Sequence, residues 1–197
     1  MTPLRFEELL PLALRAILHP RLSLARILGT PTDRQTILLA AALVITIQVG
    51  FGLALDMLLP QEVAENSVNL PLFAALLLQS VILFGGATLL FWGGRMFGGE
   101  GVFDDCLKTV VWISFILFLV QLLLPVALMI SPATYTMAMT LCLIVAVIQV
   151  IAQVMELHGF ENPFLVFLGV FAGQFILAIA LFSILAAFGV APPVEPV

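Results

Sequence analysis

Five stretches of this chain run for about twenty residues or more with almost no charge: Ile37–Leu59, Leu70–Gly94, Leu107–Ile130, Tyr135–Met155 and Pro163–Val190. A helix needs about 20 apolar residues to cross a hydrocarbon core near 30 Å thick. Each stretch meets that length, and the only charged residues inside them, Asp56 and Lys108, fall near an end. Lipid offers the backbone no hydrogen-bond partner, so a spanning segment must be a helix or part of a closed barrel. Alternating segments of about ten residues, the mark of a barrel, are absent. The sequence therefore predicts an all-α membrane protein: a bundle of five transmembrane helices with a short amphipathic helical segment before it.

The composition agrees. Hydrophobic residues make up 62% of the 197 and charged ones 10%, whereas soluble domains run to about 25% charged. A net charge of −5 leaves no basic stripe to neutralise phosphates, so no nucleic-acid partner is expected. The two cysteines, Cys106 in a polar loop and Cys142 deep in an apolar run, are expected to be free thiols. The N-terminal apolar stretch Leu9–Leu18 is cut by Pro11 and Arg15 and lacks a cleavage site of small residues, so it does not resemble a secretory signal.

Helix boundaries carry their own signals. In Pro31-Thr32-Asp33-Arg34-Gln35, Thr32 and Gln35 have the spacing of a capping box. Pro60, Pro71 and Pro163 stand at span edges, where a missing N–H does least harm. Pro125 lies inside the third stretch and predicts a kink there.

Residues 1–30 form a separate element. Phe6, Leu10, Ala13, Leu14, Ile17 and Leu18 recur at helical spacing, and a second short helix over Leu22–Leu28 stops at Gly29. Two readings fit: a helix lying on anionic lipid, and a cap packed on the bundle. Residues 31–190 form the five-helix domain, with 191–197 as a short tail. Arg5, Arg15, Arg21, Arg26 and Arg34 precede the first span, and Arg95 and Lys108 flank the connection between the second and third. With five spans all of them share one side, which the positive-inside rule makes cytoplasmic. The C-terminus is then external.

Each span carries a glutamine away from its ends: Gln48, Gln79, Gln121, Gln149 with Gln153, and Gln174. An amide is costly in hydrocarbon unless paired, so these side chains are expected to point into the bundle as a structural polar layer. They could serve as interhelical glue or as a polar path for a solute. Gly169 and Gly173 form GxxxG, a candidate helix-packing surface for the bundle itself or for a homo-oligomer.

Catalytic chemistry is poorly represented. HExxH, GxSxG and the Walker pattern are missing, and His19 and His158 make no metal-ligand pair. No catalytic residue, metal or cofactor is expected. Asp56, Asp104, Asp105, Glu156 and His158 are expected at solvated helix ends. Of these, Glu156, His158 and Asp104 are the one set that could converge on a lipid substrate.

The most distinctive connection runs from Gly93 to Asp105, with glycine at 93, 94, 98, 99 and 101. A tight turn between helices explains it better than a phosphate cradle, since no Lys-Ser/Thr follows. Arg95, Gly98, Gly99, Gly101 and Phe103 form a candidate interaction loop.

Three features together resemble the Yip-one domain family of multispanning membrane proteins. They are Ile17-Leu18-His19-Pro20-Arg21 continuing to Ala25-Arg26-Ile27-Leu28, the loop Phe97-Gly98-Gly99-Glu100-Gly101-Val102-Phe103 with Cys106-Leu107-Lys108, and the five-span plan. The resemblance covers about Pro20–Gly189. Family members often carry Tyr closely followed by Pro early in the third span. Here that region reads Val111-Trp112-Ile113-Ser114-Phe115, so no role of that motif is carried over. Eukaryotic members resemble adaptors of Rab-type GTPases. Six Arg against one Lys points to the bacterial branch, and so to the inner membrane, where no Rab partner exists. The resulting expectation is a non-enzymatic scaffold or adaptor in contact with the lipid bilayer, binding another membrane protein or a second copy. The alternatives are a transporter component using the glutamine layer and a lipid-modifying enzyme.

Overall fold

A computed structural model describes residues 6–58 and 71–187. Arg5, Leu59, the segment 60–69, Leu70, the last residues of the fifth stretch and the tail 191–197 lie outside the described residues. The described residues form helices and no strand: α1 (Phe6–Leu18), α2 (Pro20–Leu28), α3 (Arg34–Asp56), α4 (Leu72–Met96), α5 (Phe103–Gln121), α6 (Leu123–Ile130), α7 (Pro132–His158) and α8 (Pro163–Ala187). Five helical segments are long and apolar enough to cross a membrane, with α5 and α6 together making the third.

Short polar side chains start these helices. Asp33 accepts from the Thr36 N–H at 3.2 Å, Ser131 from the Thr134 N–H at 3.1 Å, and Asn162 from the N–H groups of Phe164 and Leu165 at 3.0 and 3.3 Å. Each satisfies amides that have no partner within the helix. The cap of α3 is thus Asp33. The expected capping box does not form, and the Thr32 hydroxyl donates instead to the Thr30 carbonyl at 3.1 Å. At the far end of α7, Gly159 turns left-handed with φ +71°, and the Phe160 N–H closes back onto the Met155 carbonyl at 3.0 Å.

The third span breaks between Gln121 and Leu123. Pro125 has no N–H to give the Gln121 carbonyl, and its ring crowds that same carbonyl. The interruption expected from Pro125 therefore falls one turn before it.

Helix α5 is the central element. It packs against α1, α2, α3, α4 and α7, while α8 touches only α4 and α7 among the more extensive contacts. One apolar core joins Ile37, Ala41, Val44 and Ile45 of α3 to Leu83 and Ala87 of α4 and to Leu107 and Val111 of α5. A second joins Ala13 and Ala16 of α1 and Leu24 of α2 to Cys106, Trp112 and Ile116 of α5 and Leu157 of α7. Cys106 is buried in the first turn of α5 rather than in a loop, and both cysteines are free.

The N-terminal helices are docked on the bundle. Alanines 13 and 16 face the protein, and the larger Leu10, Leu14 and Leu18 of the same helix face outward. Small residues let helices approach closely.

Candidate functional site

The richest side-chain chemistry gathers at one end of the bundle, where α1, α2, the α4–α5 connection and the end of α7 meet. His158, the last residue of α7, is its buried centre, only 3% exposed. The Gly101 N–H donates to His158 Nδ1 at 3.3 Å. The proton of a neutral ring then sits on Nε2, which is buried without a hydrogen-bond partner among the described residues. Phe160 stacks on the ring at 5.4 Å.

Three glycines make room for this imidazole. A Cβ at Gly94 would overlap the ring, one at Gly99 would lie 2.5 Å from Nδ1, and one at Gly101 would lie 2.7 Å from Cε1. The connection folds over His158 by bonding the Gly99 N–H to the Gly94 carbonyl at 2.7 Å. Gly98 allows that turn with φ +82°, a conformation that other residues adopt only at a cost. The candidate interaction loop thus has a concrete geometry. Gly99 and Gly101 press on His158, Phe103 meets Phe91 edge-on at 5.8 Å, and the Arg95 guanidinium lies over the Phe91 ring at 5.2 Å. Met96, Phe97 and Val102 face outward.

Ion pairs tie the same end together. Arg26 meets Glu8 at 2.8 Å, Arg21 meets Glu156 at 4.0 Å, Arg34 meets Asp104 at 3.9 Å, and Lys108 meets Asp105 at 3.6 Å. Arg21 also donates to the Phe160 carbonyl at 3.3 Å, and Lys108 to the Thr30 carbonyl at 3.4 Å. The cations that mark this end are largely neutralised by carboxylates beside them. The three residues considered for a lipid-directed enzyme stay apart in their bonding: Asp104 with Arg34, Glu156 with Arg21, His158 with Gly101. His158 is not at a solvated end, because the glycine loop covers it. Among the described residues no group of His, Cys, Asp and Glu is arranged to hold a metal ion.

The glutamines form two separate pairs rather than one layer. Gln79 donates to Gln48 Oε1 at 2.7 Å, and Gln48 donates to the Ser114 carbonyl at 3.1 Å, joining α3, α4 and α5. Nearer the histidine, Gln153 donates to Gln149 Oε1 at 2.8 Å, and Gln149 donates to the Ala16 carbonyl at 2.8 Å. The second pair pins α1 to α7. Gln121 is half-buried at the end of α5, and Gln174 faces outward from α8, contrary to the inward orientation expected of it. Gly173 approaches Leu89 of α4 at 4.0 Å as a Cβ would see it, and Gly169 has open space.

Sequence reasoning missed His158 and its glycines as a unit. Their spacing in the chain gives no sign that they meet, and only the glycine density between residues 93 and 101 hinted at a close approach.

The stretch from the end of α1 through α2, the glycine connection and the five spans is matched by one family model. The Yip1 domain model matches residues 14–185. The chain belongs to the Yip1 domain family. The match takes in all five spans, the whole of α2 and the last five residues of α1, so α2 belongs to the Yip1 domain itself. This Yip1-domain protein is an integral membrane protein. No curated protein matches the chain, and no solved structure does.

Proposed function

We propose that this Yip1-domain protein is a non-enzymatic scaffold or adaptor that binds another membrane component with the end of the bundle built from α1, α2 and the α4–α5 loop. One observation carries the reading: the loop is held from beneath by His158, while Met96, Phe97 and Val102 are turned outward. A rigid base under outward apolar side chains is the make-up of a recognition surface, with preformed shape lowering the cost of binding. Positive-inside reasoning supports a cytoplasmic location for this end and an external C-terminus, and six Arg against one Lys supports a bacterial inner membrane.

A solute path along the glutamines has less support, because four of the amides bond one another or a backbone carbonyl. A lipid-directed enzyme has none from the separate engagements of Asp104, Glu156 and His158.

The test is affinity capture from native membranes with the full chain and with a Phe97→Ser, Val102→Ser double variant. Loss of a co-purifying membrane protein in the variant is the expected result. Identical capture profiles would overturn the role of this surface. Reporter fusions at the two termini, expected to report opposite sides of the membrane, test the orientation.

A further inference from the structure

Gln174 differs from the outward hydroxyl side chains deeper in the spans. Thr46, Thr88, Thr136, Thr140 and Ser183 also face outward, and each hydroxyl donates to the carbonyl one turn earlier at 2.8 to 3.1 Å: Ala42, Phe84, Pro132, Thr136 and Ile179 respectively. Those groups are satisfied in hydrocarbon without help. The Gln174 side chain is exposed and makes no hydrogen bond among the described residues. It lies about 16 Å from the start of α8 at a rise of 1.5 Å per residue, near the middle of the span. An amide left there against lipid tails would be costly.

We propose that α8 is the interface of a dimer of this chain, closed by a reciprocal hydrogen-bonded pair between the two Gln174 amides. Two copies inserted with the same topology are related by a two-fold axis along the membrane normal. That axis brings residue 174 opposite residue 174 at one depth, so the group there must complement itself. A carboxamide does, because it donates through Nε2 and accepts through Oε1. The surrounding surface suits a helix seam. Phe167, Phe171, Gln174 and Ala178 follow at intervals of four, three and four residues, the spacing of helices wound together. Phe167 and Phe171 already stack at 6.1 Å on this side. Helix α8 also has the unoccupied flank such a contact needs, since its more extensive contacts are to α4 and α7 alone.

The experiment uses the full chain reconstituted in phospholipid vesicles. A cysteine introduced as Phe171→Cys, one turn from the amide, is oxidised with a membrane-permeant reagent. Leu143→Cys on the outward face of α7 and the unaltered chain, with its native Cys106 and Cys142, are the comparisons. A covalent dimer is expected from Phe171→Cys alone. Adding Gln174→Leu should weaken association in lipid by about tenfold, and Gln174→Asn should restore most of it. Because Gln174 is exposed and makes no hydrogen bond among the described residues, Leu there should leave the fold intact. Energy transfer between singly labelled copies of otherwise unaltered protein, measured as lipid is diluted, provides a second readout. Equal cross-linking at 143 and 171, dimers indifferent to Gln174→Leu, or monomers throughout would each overturn the proposal. The last outcome would leave α8 to lipid or to a different membrane protein.

Discussion

Gly101 donates its backbone N–H to His158 Nδ1 across 57 residues of sequence, tying the α4–α5 connection to the end of α7. The imidazole fills a space that glycines leave open on several sides, so the loop and the ring define each other's position. Side-chain volume, more than the single 3.3 Å hydrogen bond, is what this contact is built from.

Gly94→Ala should therefore destabilise the protein by about 1–3 kcal/mol, the usual cost of overpacking. The same change in a His158→Ala background should cost much less, since the clashing ring is gone, and the two substitutions should be non-additive. Gly98→Ala is the contrast. Nothing stands within 4 Å of a Cβ there, so its cost of roughly 1–2 kcal/mol comes from φ alone and should not change with His158→Ala. Thermal unfolding in detergent, followed by circular dichroism, checks all three.

The Gln48–Gln79 pair predicts another coupling. Gln79→Leu leaves Gln48 Oε1 without its donor, and Gln48→Leu leaves both Gln79 Nε2 and the Ser114 carbonyl without their partner. The double variant should be less destabilised than the sum of the singles by about 0.6–2 kcal/mol, the range for interhelical side-chain bonds in membranes. Strict additivity in a double-mutant cycle would show that the bond contributes nothing.

Asp33, just before the first span, should give stability a pH dependence. The Thr36 hydroxyl and then the Thr36 N–H bond its carboxylate and hold it below the ordinary aspartate value, about 3.9. A depressed folded value means the contribution is full above about pH 4 and is lost as pH falls through the lower folded value. Asp33→Ala should lower the melting midpoint at pH 6, and its difference from the unaltered chain should close toward pH 2. Asp33→Asn keeps a cap without the charge, so its difference from Asp33→Ala should stay constant across this range.

Span positions were legible because the bilayer sets a length that composition must meet. Their ends were less so: α7 runs from Pro132 to His158, beyond the apolar stretch Tyr135–Met155, because capping by Ser131 and Gly159 rather than loss of hydrophobicity ends it. Helix facing was the harder problem. In water the leucines of α1 would mark the buried side. Here they face outward and the alanines turn inward instead, because small residues let α1 approach the bundle closely. The same ambiguity hid Gln174, whose polarity argued for the interior while its neighbours Phe171 and Phe175 faced out. The position of His158 depends on bringing residues 94–101 to the end of α7, a tertiary fact that local spacing does not contain.

The pin between α1 and the bundle gives the last prediction. Gln149 is fully buried and bonds in two directions, donating to the Ala16 carbonyl and accepting from Gln153. Gln149→Leu would remove a donor from the end of α1 and leave Gln153 Nε2 buried without an acceptor, a loss of about 1–3 kcal/mol. Most of it should fall on the docking of α1 and α2, because the spans keep their own cores around Leu83, Leu107 and Val111. Hydrogen exchange should rise in residues 6–28, and trypsin should cut sooner at the exposed Arg15, with little change in α3 or α4. If exchange rose equally throughout the bundle, the amide would be supporting the spans as a whole and not the N-terminal cap.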